Sequence, residues 1–159
     1  MNKTEFFIEP GKQDLSIVRW FDTRRALVFK AHTDPQAIPL WWGPGYLSTT
    51  VELLEPRAGG RWRYLQQDPQ GKVFAFYGVF HHVAEDRIVQ TFEFDGAAGH
   101  VQLETLTLEE IGGRTKMTAH SVFQSVKARD GMVAAGMEGG FDEGMGRLDR
   151  WLEAIGAKA

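Results

Sequence analysis

The chain has no cysteine. That removes a thiol nucleophile, a cysteine zinc site, an iron–sulfur cluster and a disulfide framework from its chemistry. Acid–base work falls to its histidines and carboxylates. The histidines are His32, His81, His82, His100 and His120. Neighbouring residues of a strand point to opposite faces, so His81 and His82 cannot both look inward. The alternation Phe74, Phe76, Gly78, Phe80, His82 reads as one inward set and turns His82 toward the interior. An inward histidine is either a hydrogen-bonded core residue, the commoner outcome, or a catalytic group. Glu104 shares its alternation with Leu106 and Leu108. If that face is the inner one, Glu104 is a carboxylate in apolar surroundings, with its ionised form disfavoured, and can act as an acid, a base or a ligand anchor. The opposite register sends it to solvent, where glutamates usually sit. Both registers are open, as is a meeting of His82 with Glu104.

Other chemistries lack their patterns. None of Ser16, Ser48, Ser121 and Ser125 lies in Gly-x-Ser-x-Gly. Gly43-Pro44-Gly45 reads as a helix stop and Gly59-Gly60 as the start of a strand, so no glycine loop is built for phosphate. There is no His-Glu-x-x-His helix or other compact ligand cluster, so no metal is expected and no cofactor is implied. The aromatic residues carry more information. Trp41, Trp42, Trp62, Tyr64, Phe74, Phe76, Phe80, Phe92, Phe94 and Phe141 are placed to surround one space. They are either the large side chains that a core needs or the wall of an apolar pocket with a few polar groups, Tyr64, His82 and Glu104, to orient a ligand. Met137, Phe141 and Met145, with Met117, complete that wall; a thioether adapts to several shapes. Trp41-Trp42 either closes the pocket mouth or packs a helix under the sheet.

The elements that must position these residues are legible from punctuation. Residues 16–21 are β-branched and aromatic and read as a strand. Asp22-Thr23 offers capping oxygens for a short helix over 24–31, and Asp34-Pro35 starts a second that stops at Trp42 before Gly43-Pro44. Six strands follow over 46–54, 60–67, 72–83, 87–94, 101–109 and 114–123, separated by Pro-, Asp- and Gly-containing turns. Residues 129–155 read as one long helix, with Val133, Met137, Phe141, Gly144, Leu148, Leu152 and Ile155 on one stripe. Six glycines interrupt it, at 131, 136, 139, 140, 144 and 146, each costing a helix about 1 kcal/mol relative to Ala. They serve close packing on the sheet, or space for a ligand, or both.

A strand, two short helices, an antiparallel meander and a C-terminal helix make an α+β helix-grip fold, a curved sheet wrapped around the last helix. Several segments carry a specific resemblance: Pro10-Gly11-Lys12-Gln13, Asp34-Pro35 leading to Trp41-Trp42-Gly43-Pro44, Gly59-Gly60-Arg61-Trp62, Gly78-Val79-Phe80, Arg87-Ile88-Val89, and Gly136-Met137-Glu138 before Gly140-Phe141. Together they resemble the START / birch-pollen-allergen (SRPBCC) superfamily. More narrowly, they resemble the bacterial proteins grouped with the C-terminal domain of the activator of the heat-shock protein 90 ATPase. The resemblance runs over residues 10–156. It implies a cavity between sheet and helix but no particular reaction, since the superfamily includes lipid carriers, hormone receptors, aromatase/cyclases and co-chaperone domains. The superfamily often has an acidic residue where this chain has His82, which removes any role tied to that carboxylate.

With 159 residues the chain is one ordinary domain, read here as an N-terminal tail over 1–11, either a tail proper or a loosely attached strand, and a helix-grip domain over 12–157. A net charge of −3 argues against nucleic acid, and Arg61 and Arg63 beside Trp62 read as a solvated outer face. No signal-peptide pattern and no membrane-spanning apolar run is present, so the expected location is the cytoplasm. The leading expectation is a binding protein for a small apolar or aromatic ligand. The alternatives are a cofactor-independent cyclase- or hydratase-type enzyme using the same cavity, and a chaperone-ATPase regulator working by protein–protein contact, the last by resemblance only.

Overall fold

The computed structural model describes residues 2–158. Eight antiparallel strands form one sheet: β1 (Thr4–Phe7), β2 (Asp14–Phe21), β3 (Ser48–Leu54), β4 (Arg61–Gln67), β5 (Val73–Ala84), β6 (Arg87–Phe94), β7 (Gln102–Ile111) and β8 (Arg114–Val122). Their order across the sheet is β1-β2-β8-β7-β6-β5-β4-β3. Consecutive strands from β3 to β8 are neighbours, and β2 closes beside β8. The described residues also form four α-helices, α1 (Arg25–Thr33), α2 (Ile38–Trp41), α3 (Val126–Ala134) and α4 (Met137–Lys158), and one 3-10 turn at Asp95–Ala97. No helix among the described residues is long and apolar enough to cross a membrane.

The seven expected strands and two short helices are present at their places. The first eleven residues contain one more strand, β1, paired with β2 along the sheet edge from Thr4↔Arg19 to Phe7↔Ser16. Two local expectations fail. Asp22 does not cap α1; its carboxylate takes Arg114 at 2.8 Å, while Glu110 from β7 accepts from the Arg25 amide at 2.8 Å and covers that helix end. The single helix over 129–155 is two. The chain turns at Gly136, whose φ of +89° suits glycine, and Ser125 caps α3 through the Ala128 amide.

Packing follows from the alternation of each strand and the stripe of α4. Phe21, Leu108 and Met117 of the sheet meet Val28 and Ala31 of α1 and Met145, Leu148 and Leu152 of α4. Ile38, Trp62, Tyr64, Phe80 and Ile88 form a second cluster. Leu15, Ile17 and Phe123, with Met132 and Val133 of α3, form a third. Arg61 and Arg63 lie on the outer face of β4, where Arg63 pairs with Glu52 at 3.5 Å. The three clusters surround an interior space and do not fill it.

Candidate functional site

That space is a cavity of about 460 Å³ between the concave face of the sheet and α4. Of the aromatic and sulfur residues expected there, Trp41, Trp42, Trp62, Tyr64, Phe76, Phe92, Met117, Met137, Phe141 and Met145 all line it. One wall is a run of aromatic rings. Trp42 meets Tyr64 and Phe76 edge to face, each at 5.2 Å between ring centres. Trp62 lies 4.8 Å from Tyr64 and 5.8 Å from Phe92, and Phe76 is 5.7 Å from Phe92. Gly78 makes the seat of Trp62 possible: a Cβ there would stand 1.9 Å from the Thr91 carbonyl oxygen, which accepts the Trp62 indole N–H at 3.2 Å.

The second wall is polar and spans three adjacent strands. Gln90 of β6 stands opposite Glu104 of β7, which stands opposite Ser121 of β8. Gln102 lies two residues before Glu104 on the same face. Glu104 therefore takes the inward register, and its carboxylate borders the cavity. Gln90 Nε2 donates to Oε1 at 3.2 Å and Gln102 Nε2 to Oε2 at 3.1 Å. Burial pushes the Glu104 carboxyl up to about 7; the hydrogen bonds from Gln90, Gln102 and Ser121 pull the other way and only partly offset it. Burial also raises the Tyr64 phenol well above its ordinary value, and the Glu104 charge adds to that.

Four residues expected around this space do not line the cavity. Phe74 and Phe94 pack on each other, 6.1 Å between ring centres, beyond its aromatic wall. Phe80 faces inward but is sealed in the core cluster with Trp62, Tyr64 and Ile88. His82 is exposed. The pairing of β5 with β6 slips between Phe80 and His82: Phe80 stands opposite Gln90, yet His82 stands opposite Val89 and Val83 opposite Ile88. One extra residue is accommodated there as a bulge, so the alternation reverses and Val83 takes the inward place expected of His82. His82 and Glu104 thus face different sides of the sheet.

The structure adds His32, Gln66, Gln90, Gln102 and Ser121 to the wall. His32 sits on α1 with its Nδ1 at 2.8 Å from the Val28 carbonyl and its ring edge against Trp41. Burial lowers it to about 4, so it is neutral at physiological pH. The i, i+4 spacing of Val28 and His32 was readable in the sequence; the inward face of so short a helix was not. Gln90, Gln102 and Ser121 carry no signal until the register across three strands is known.

The cavity is closed on one side by the loop after α2. Gln66 Nε2 donates to the Trp42 carbonyl at 3.3 Å, and Arg147 of α4 donates to the Gly43 carbonyl at 2.9 Å. Glu143 of α4 accepts from the Gly45 amide. Gly43 has a φ of +78°, and a Cβ there would meet Gln66 Nε2 at 2.2 Å. Of the two tryptophans, Trp41 is buried and donates to the Ala31 carbonyl at 2.9 Å, holding α2 on α1, while Trp42 belongs to the aromatic wall. The α4 glycines divide by role. A Cβ on Gly144 would lie 3.4 Å from backbone atoms of Trp41 and Gly43, whereas Gly140 borders the cavity and a Cβ there would meet nothing within 4 Å. Among the described residues, no group of three or more His, Asp or Glu is arranged to hold a metal ion.

Comparison with known proteins agrees with this architecture. Residues 22–153 match the family model described as "Activator of Hsp90 ATPase homolog 1-like protein". A Rhodobacter sphaeroides protein of known crystal structure is 25% identical with a TM-score of 0.85, over 95% of this chain and 99% of that one. An Arthrobacter aurescens protein solved in solution is 28% identical with a TM-score of 0.83, over 91% and 88% of the two chains. The AHSA1 protein of Silicibacter pomeroyi shares the fold at 20% identity and a TM-score of 0.72, over 89% of this chain and 99% of that one. No curated protein matches this chain. The chain belongs to the Activator of Hsp90 ATPase homolog 1-like family, within the SRPBCC superfamily.

Proposed function

We propose that this family member binds a small apolar or aromatic molecule in the cavity between the sheet and α4. The observation that carries the reading is the cavity itself: about 460 Å³, aromatic on one side and polar mainly around Glu104, with His32 and Gln66 elsewhere on the wall. That volume is in the range of small-molecule sites, whose walls are likewise mostly apolar with a few placed polar groups. Water can satisfy the wall around Glu104 but gains little against Trp42, Phe76 and Phe92, so an apolar occupant suits the space better.

Native mass spectrometry of the purified protein, with denaturing extraction of whatever it carries, tests this. The expected result is a stoichiometric apolar molecule, either copurified or taken up from a panel of aromatic compounds, that Gly140→Leu no longer holds. An adduct that survives Gly140→Leu, or no uptake across the panel, would overturn it.

A second reading is favoured by one observation. A carboxyl group near 7 is matched to proton transfer at physiological pH, which suits a cofactor-independent cyclase- or hydratase-type reaction in the same cavity. Under it, Glu104→Gln abolishes turnover of a bound substrate while leaving uptake measurable; full turnover in that variant would remove the reading.

A further inference from the structure

The cavity's charged and polar groups are few enough to decide what kind of ligand head they recognise. None of the described residues lining it is Lys or Arg. Its titratable groups are Glu104 on β7, Tyr64 on β4 and His32 on α1. Every other element contributes neutral groups toward this space: Gln90 from β6, Ser121 from β8, Leu15 and Ile17 from β2, Ile38 from α2, and Met137, Phe141 and Met145 from α4. His32 is neutral and Tyr64 keeps its proton, so the cavity wall carries either no charge or one negative charge; the buried Arg19, next on the Leu15–Ile17 face of β2, lies outside the wall and pairs with Asp149 of α4.

A ligand carboxylate, phosphate or sulfate would find no cation here and would face Glu104. A ligand cation finds a carboxylate whose plane is already set, because Gln90 and Gln102 each donate to a different oxygen. A carboxylate has about four acceptor positions, and these two amides with Ser121 leave at least one free. The rest of the wall also suits a cation with an aromatic body. The faces of Trp, Tyr and Phe attract positive charge, and offset or edge contacts suit a further ring.

We propose that the ligand is an arylalkylamine, its aromatic body among Trp42, Tyr64, Phe76 and Phe92 and its ammonium group ion-paired with Glu104. This rests on the cavity being a ligand site. The ammonium has three donors and no acceptor, the complement of a carboxylate with a vacant lone pair. Pairing requires Glu104 to be ionised, so binding expels its proton wherever the free group holds one. Affinity therefore rises with pH up to the carboxyl's own titration near 7 and levels off above it, until the amine itself loses its charge.

The test is a set of three matched probes, naphthylethylamine, naphthylethanol and naphthylacetate, titrated into the full chain and followed by its tryptophan fluorescence. The amine is expected to bind about ten- to a hundredfold more tightly than the alcohol at mildly alkaline pH, the range of one charge-assisted hydrogen bond, with the acid weakest. Its affinity should fall roughly tenfold per pH unit below the titration of Glu104. Glu104→Gln should cancel the amine's advantage over the alcohol, a ratio read within one variant and so independent of any general loss of fit. An alcohol that binds as tightly as the amine, an acid that binds best, or an amine affinity that drops as pH rises would each overturn the inference and leave the cavity reading standing. If none of the three binds, the cavity reading falls with it.

Discussion

Glu104 gives the free protein a pH dependence of stability opposite to that of a carboxylate in a salt bridge. Its proton is held up to about 7 in the fold against an ordinary value of 4.5. Below about 4.5 the group is neutral in both folded and unfolded chains, and its burial carries no charge penalty. As pH rises, the unfolded chain loses this proton first and the folded one last, so folding is progressively disfavoured until Glu104 ionises in place. At about 1.4 kcal/mol per pH unit, the full effect is about 3 kcal/mol. Glu104→Gln keeps the shape and cannot ionise; the amides of Gln90 and Gln102 can turn to accept from it. Its stability relative to the parent should therefore climb by about 3 kcal/mol between about pH 4 and pH 8, or some 6–12 °C in Tm for a chain of this length. Urea unfolding followed by the fluorescence of the five tryptophans measures both proteins at each pH. Every other titrating group is common to the two and cancels in the difference. A difference flat with pH to within about 0.5 kcal/mol would refute the reasoning, because it would mean that the carboxylate is as well solvated inside as out.

Three further substitutions probe the architecture. Gly140→Leu should leave Tm unchanged or raise it, since leucine forms helix better by up to about 1 kcal/mol and its side chain has open space, while Gly144→Leu should cost about 1–3 kcal/mol against the Trp41–Gly43 backbone; thermal melts of the two side by side decide it. Gly78→Ala places a methyl 1.9 Å from the Thr91 oxygen and should cost about 2 kcal/mol or more in urea unfolding, with the Trp62 environment changed. His82→Ala should move stability by less than about 0.5 kcal/mol and ligand affinity not at all; a measurable loss of affinity would contradict the bulge that turns this side chain outward.

That bulge marks the limit of what periodicity can say. The strand around Phe74, Phe76 and Phe80 was legible because its apolar positions recur every second residue, and the extrapolation failed at His82 because one inserted residue reverses every later position. Nothing in Phe80-His81-His82-Val83 announces an insertion; it is visible only against the partner strand. Glu104 shows the same dependence from the other side. Its two registers were equal in the sequence, and they separate once Leu106 and Leu108 are held inward by the clusters around Ile88 and Met117. The helix break at Gly136 was hidden differently. Six glycines over 131–146 offered several places for a positive φ, and the apolar stripe ran through all of them. Of the ten aromatic residues expected around the space, seven line the cavity, because their placement depends on residue type and strand parity, while Phe74, Phe80 and Phe94 share that parity but lie beyond the wall or sealed in the core.

The glycines of α4 argue that the space is kept open rather than left over. Helix-forming residues at 140 would be favoured by propensity, and at this position no neighbour forbids them. The opposing loop is tied to the sheet by Gln66 on the Trp42 carbonyl and to α4 by Arg147 and Glu143, which together hold it across the gap. A chain shaped only for stability would place a better helix former at 140 and would replace Glu104 by an apolar residue of similar size. It does neither. Gly140 on α4 and Glu104 on the sheet border one cavity, the first withholding volume and the second supplying a carboxyl group beside the neutral His32 and Tyr64. That pairing fits the ligand site proposed above.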